Sequence, residues 1–68
     1  MEEVIQELQG LAARYDGMLK IGFYGDRGIS TVTLSLSKIG VKKKYTTRVG
    51  LQRCLEMVLE LVNREIES

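Results

Sequence analysis

The stretch TVTLSLS, residues 31–37, decides the fold, because apolar and hydroxyl-bearing side chains alternate in it without a break. Successive side chains of a strand point to opposite faces, so Val32, Leu34 and Leu36 share one face and the hydroxyls share the other. The stretch therefore predicts a half-buried strand with an apolar face toward a core and a polar face toward water.

Two further segments with the same period lie on either side of it. In residues 18–24, Leu19, Ile21 and Phe23 alternate with other residues, and residues 41–49 alternate as well. Lys43 falls on the nominal core side of the third segment, where its long stem can reach out to water. Residues 25–28, GDRG, and the pair Ile39-Gly40 are typical of turns. Short turns predict a three-stranded antiparallel meander.

Helical periodicity brackets these strands. Apolar residues in 2–15 follow the i, i+3, i+4 spacing of one stripe about 120° wide, and those from Gly50 to about Ile66 form an arc of about 200°. Both helices must cover the same apolar sheet face. The sequence therefore predicts one α+β domain over residues 1–68, a two-layer sandwich in the order α-β-β-β-α.

The composition excludes several chemistries. The chain has 68 residues, one cysteine and no histidine, so it can form no internal disulfide, no Cys/His zinc site and no Ser–His or Cys–His pair. Cys54 lies on an apolar helix face, which indicates an inert core thiol. We expect a non-enzymatic protein with no catalytic residue, metal or cofactor. Short apolar runs and an acidic start also predict no membrane association and a cytoplasmic location.

Charge is segregated along the chain although the total is only +1. Residues 17–49 carry seven cations against the single carboxylate of Asp26, while the helical segments on both sides are net acidic. Strand parity gathers cations, hydroxyls and one aromatic ring on the open sheet face, a combination suited to phosphates or carboxylates. The predicted ligand-binding residues are Lys20, Tyr24, Thr31, Thr33, Ser35, Lys42, Lys44 and Arg48.

Other interpretations of the same face stay open. Hydroxyl-rich outer faces suit strands and water, and lysines on an edge strand deter aggregation. The face can equally contact another protein. The closely spaced glycines of residues 22–28 join two strands, which favours a hairpin turn over a phosphate-cradling loop.

The wide apolar arc of the second helix predicts self-association. One sheet face and one neighbouring helix cover about half of a helix's circumference, and a chain this short gains burial by forming a homodimer. The predicted interface residues are Met57, Leu59 and Val62.

The order of elements and the length resemble the double-stranded-RNA-binding domain and the small HicA-type ribonuclease toxins. The resemblance is one of topology. The second helix opens Gly50-Leu51-Gln52-Arg53 with one cation, where the RNA-binding family has a basic cluster, and the histidine of the toxins has no counterpart. No site residues are transferred from either family.

Two functions follow from these patterns. The first is a small binding module whose basic, hydroxyl-rich sheet face takes a phosphate-bearing or acidic ligand, a nucleic acid or nucleotide. The alternative is a homodimeric protein-interaction module that docks on a larger protein as a regulator, inhibitor or assembly part.

Overall fold

The computed structural model describes residues 2–67, and their helices and strands follow the predicted order. Met1 and Ser68, the ends of the predicted domain, lie outside the described residues. A short 3₁₀ helix joins the second and third strands. The elements are α1 (Glu2–Arg14), β1 (Gly17–Tyr24), β2 (Ile29–Leu36), the 3₁₀ helix (Ser37–Ile39), β3 (Val41–Thr47) and α2 (Leu51–Glu67).

The sheet is the predicted antiparallel meander, with β2 in the centre. Leu34 is in register with Leu19 of β1 and with Lys43 of β3, and the pairing runs without a bulge along both neighbours. Even-numbered residues of β2 are fully buried and odd-numbered ones half-buried, which is the burial pattern predicted for residues 31–36.

Tight connections hold the strand ends. The β1–β2 turn is closed by hydrogen bonds from Arg27 N to Tyr24 O (3.1 Å) and from Gly28 N to Gly25 O (3.3 Å). Gly40 follows the 3₁₀ helix with a φ of 65°, in the left-handed region that glycine adopts at no steric cost. At the start of β1 only glycine fits, because a Cβ on Gly17 would lie 2.0 Å from the carbonyl oxygen of Ser35.

The core lies between the sheet and both helices. Leu8 is the one fully buried residue of α1, whereas α2 contributes four and β2 provides the floor. Since Leu8 and the buried residues of α2 join one cluster with the even-numbered face of β2, both helices cover the same side of the sheet, as predicted. The buried apolar residues are Leu8, Val32, Leu34, Leu36, Cys54, Leu55, Val58 and Val62.

The structure corrects the length of the third strand. It was predicted to run to Val49 but ends at Thr47, and Val49 is 75% exposed rather than core-facing. Thr47 Oγ1 accepts a hydrogen bond from Val49 N (3.2 Å) in the bend that follows. Gly50, with a φ of 117°, then accepts the first helical hydrogen bond from Cys54 N. The strand stops there because the chain must leave the sheet for the helical layer.

The outer half of β1 is also less covered than its alternation predicted. Leu19 packs against the core, but Ile21 is 45% exposed and Phe23 is 68% exposed, although both lie on the helix-covered face. The narrow stripe of α1 supplies too little surface to extend over this end of the edge strand. The apolar alternation of β1 therefore identified its face correctly and overestimated its burial.

Candidate ligand-binding face of the sheet

The open face of the sheet is built by register. Lys20, Thr33 and Lys44 form one row across the three strands, because Thr33 is in register with both lysines. Ser35 and Lys42 are partners in the next row. Lys20, Lys42 and Lys44 are exposed, so the strands bring three predicted cations to one wetted surface.

The strand positions of these cations are spread along and across the sheet. Lys42 and Lys44, two residues apart on β3, have Cα atoms about 7 Å apart. Lys20 and Lys44 are separated by two strand spacings, about 10 Å. The half-buried hydroxyls of Thr33 and Ser35 lie between them.

The electrostatic character of the face comes from a local excess of cations. The three strands contain four lysines and no carboxylate. The ion pairs within residues 2–67 involve Lys43, Arg53 and Arg64, and none includes Lys20, Lys42 or Lys44. The open face is therefore positive, and its cations are available to an external anion.

Two hydroxyls on this face are already joined. Thr31 Oγ1 and Thr46 Oγ1 lie 3.1 Å apart in a hydrogen bond between cross-strand partners. Thr46 was not among the predicted site residues, although its parity matches that of Lys44. This hydrogen bond uses one of the two hydroxyl protons, so the pair keeps one hydroxyl donor for a ligand.

An aromatic depression lies at the hairpin end of the face. Tyr24 is 60% exposed there, as its outward parity predicted. The depression is shallow, with a volume of about 340 Å³. Asp26, Arg27 and Ile29 also line it and were not among the predicted site residues. The lining residues are Tyr24, Asp26, Arg27, Ile29, Thr31 and Thr46.

Arg48 does not belong to the row by strand register. It is exposed, but it follows the last residue of β3 and lies in the bend before α2. The prediction that placed it on the open face assumed a strand running to Val49, and that strand length is wrong. The predicted residues that the strands do gather are Lys20, Tyr24, Thr31, Thr33, Ser35, Lys42 and Lys44.

The predicted interface on α2 is corrected at one residue. Val62 is fully buried in the core of its own chain, because it lies on the side of α2 that faces the sheet. Leu59 is half-buried and lines a groove with Leu11 of α1, and Met57 is half-buried as well. The wide apolar arc of α2 is thus used largely within the chain.

Exposed apolar side chains concentrate on β1 rather than on α2. Of the six large hydrophobic residues exposed within residues 2–67, four belong to β1. These four are Met18 (58%), Ile21 (45%), Phe23 (68%) and Tyr24 (60%).

Cys54 is a structural thiol. Its Sγ donates to Tyr45 O (3.0 Å) and, at 3.6 Å, to Ser30 O, and so joins α2 to β3 and β2. Burial raises the pKa of the Cys54 thiol, and a backbone hydrogen bond at Val32 opposes that shift. The group is therefore a protonated donor at neutral pH and a poor nucleophile.

Comparison with protein-family models, with curated proteins and with solved structures finds no match for this chain. Within residues 2–67 there is no group of three or more Cys, Asp or Glu side chains able to hold a metal ion. Neither helix in that range has the length and hydropathy needed to span a bilayer.

Proposed function

We propose that the protein is a small, non-enzymatic nucleic-acid-binding module that binds a phosphate backbone on its open sheet face. The observation that carries this proposal is the row of Lys20, Thr33 and Lys44, which sets cations at both edges of a face whose strands hold no carboxylate. Lysines supply charge to phosphates, and the hydroxyl between them donates a hydrogen bond.

The spread of the cations favours a chain of phosphates over a mononucleotide. A single phosphate occupies only part of a face over which three lysines are spread, whereas successive phosphates of a strand can contact all three. The face is also open, and the depression at its hairpin end is shallow. Both features suit a polymer that lies across the sheet.

Tyr24 favours a single strand over a duplex. An exposed ring on the same face as the cations offers a stacking surface for an unpaired base, which is worth about 1–3 kcal/mol per base. In a duplex the bases are already stacked on one another. We therefore expect tighter binding to single-stranded oligonucleotides.

The test is a titration with single- and double-stranded oligonucleotides across a range of salt concentrations. The double substitution Lys42→Gln and Lys44→Gln should raise the dissociation constant about tenfold and lower the salt slope by about 2, since each backbone-contacting cation contributes about 1. Tyr24→Leu should weaken single-stranded binding and leave duplex binding unchanged.

The control removes the same net charge away from the open face. Lys38 lies in the 3₁₀ helix and Arg53 on the outer side of α2, and both are exposed. The double substitution Lys38→Gln and Arg53→Gln should leave the affinity within about twofold of wild type. No binding of wild type at low salt, or an equal loss in the control, would contradict the proposal.

The second candidate function, a homodimeric protein-interaction module, is favoured by a different observation. Four exposed apolar residues lie on one edge strand, two on each of its faces, where water solvates them poorly. These residues lie on β1 rather than on α2.

A further inference from the structure

β1 has the features of an interface strand. It exposes apolar side chains on both of its faces, Met18 and Tyr24 on the open face and Ile21 and Phe23 on the helix-covered face. A strand at the periphery of a monomeric sheet normally carries charges or a bulge that discourage pairing. β1 has one charged residue, Lys20, and an unbroken register over eight residues.

The backbone of β1 also has a free side. Within residues 2–67, β1 is hydrogen-bonded to β2 alone, so its outer edge presents alternate N–H and C=O groups to solvent. Another strand placed there would satisfy these groups and cover the exposed side chains at the same time.

We propose that β1 pairs with β1 of a second copy of this chain, antiparallel and centred on Ile21. In this register Lys20 faces a glycine, and every other pair is apolar. The symmetry axis is normal to the sheet, so corresponding faces stay on the same side. The facing pairs are Met18 with Tyr24, Leu19 with Phe23, Lys20 with Gly22, and Ile21 with Ile21 of the partner subunit.

Charge excludes the same-parity register nearest to this one. A shift that centres the pair on Lys20 would set it directly opposite Lys20 of the partner subunit, and like charges in that position are destabilising. Centring on Ile21 removes this opposition and places the lysine against Gly22, which has no side chain to displace. The pattern of β1 is therefore complementary to itself, which is what a two-fold interface requires.

The other edge of the sheet does not offer the same partner. β3 carries Lys42, Lys43 and Lys44 in succession, so its outer edge repels a second copy of itself. Pairing through β1 alone closes the assembly at two chains. The product is a six-stranded sheet with four helices on one side and the two open basic faces, now continuous, on the other.

The inference is independent of the proposed nucleic-acid binding, because its test requires no ligand. Sedimentation velocity over a concentration series should show a dimer for the wild-type chain. Ile21→Lys sets two cations against each other on the axis and should raise the dimer dissociation constant about tenfold or more. Phe23→Lys, at a more exposed position, should act in the same direction.

The matched control is Val49→Lys. Val49 is the most exposed of the large hydrophobic residues, at 75%, and lies outside the sheet. The same substitution there should leave the dimer unchanged, and far-ultraviolet circular dichroism should show that all the variants are folded.

Cysteine cross-linking tests the register. Facing Cα atoms of an antiparallel pair lie about 4.5–5.5 Å apart, within disulfide range, so Ile21→Cys should form a dimer on mild oxidation. Lys20→Cys should not, because the two copies of residue 20 lie about 8 Å apart in this register. The native Cys54 is buried and remains in both variants.

Three results would overturn the inference. One is a strict monomer at high micromolar concentration. Another is a dimer that survives Ile21→Lys and is broken by Met57→Lys on α2. The third is cross-linking of Lys20→Cys without cross-linking of Ile21→Cys, which would refute the register.

Discussion

The two edges of the sheet are built from different chemistry. β3 carries three consecutive lysines, two on the open face and one on the helix-covered face, and α2 packs over it. β1 carries one lysine and four exposed apolar residues. Two of these, Ile21 and Phe23, lie on the side of the sheet that carries the helices, but no helix covers them. Both edges belong to one small sheet, yet only β3 is protected against pairing.

The difference has a physical origin in the two helices. The apolar arc of α2 is wide enough to bury four residues against the sheet, and its Cys54 thiol donates to the β3 backbone at Tyr45. Lys43, on the covered face of β3, forms an ion pair with Glu65 of α2 at 3.6 Å. α1 buries one residue fully and leaves Ile21 and Phe23 in contact with water. Because α2 buries more apolar surface than α1, β3 is covered on its helix side and the outer half of β1 is not.

The largest expected effect is a difference in unfolding free energy between substitutions at the centre of the sheet and at its apolar edge. Leu34→Ala removes a fully buried side chain from the core between the sheet and the helices. It should lower the free energy of unfolding by about 2–5 kcal/mol. Ile21→Ala at the half-exposed edge should cost less than about 1.5 kcal/mol in the monomer. Urea denaturation at low protein concentration measures both. Equal losses would mean that β1 is as deeply packed as β2.

The next effect concerns the link between α2 and β3, and depends on pH. Because burial raises the pKa of the Cys54 thiol above its ordinary value of 9.0, the folded state holds this proton more tightly than the unfolded state. The stabilisation is complete below pH 9.0 and is lost as the pH rises through the folded-state pKa. Thermal unfolding at neutral and alkaline pH should show this loss.

Cys54→Ala supplies the control for that experiment. The variant should be less stable at neutral pH by about 1 kcal/mol, because it loses a buried side chain and its hydrogen bonds. It should also lose less stability than wild type on going to alkaline pH, since the two proteins differ in this thiol alone. Identical pH profiles would contradict the raised pKa of the buried Cys54 thiol.

The smallest effect is expected at the ion pair of the protected edge. The side chains of Lys43 and Glu65 are 33% and 51% exposed, so solvent screens their attraction. Lys43→Met should change the free energy of unfolding by no more than about 1 kcal/mol. A larger loss would show that β3 is held by this pair rather than by packing, and would reverse the explanation given for the two edges.

Most of the architecture follows from periodicity in the sequence. The unbroken alternation of residues 31–36 predicts the central strand, and Gly25, Gly28 and Gly40 mark the turns that the structure contains. The ends of the elements are less well determined. Val49 continues the alternation of β3 in sequence, but the strand ends at Thr47 because the chain must leave the sheet, so Arg48 and Val49 lie beyond it.

Burial was harder to predict than parity. An apolar residue on the covered face is buried only if a helix reaches it, and this depends on packing between elements that are distant in sequence. Ile21 was predicted to face the core but is 45% exposed. Val62 was predicted to lie in a dimer interface but is fully buried in its own chain. The parity of Lys20, Lys42 and Lys44 depends on local geometry alone, and it was predicted correctly.

The meander has a consequence for how the chain folds. Each strand pairs with its immediate neighbour in sequence, and the connections between paired ends span only residues 25–28 and 37–40. Short loops cost little closure entropy, and a low average separation between contacting residues correlates with fast folding. The β1–β2 hairpin can therefore form early, while its apolar outer edge is still bare, and the encounter of two such hairpins would be an early route to assembly.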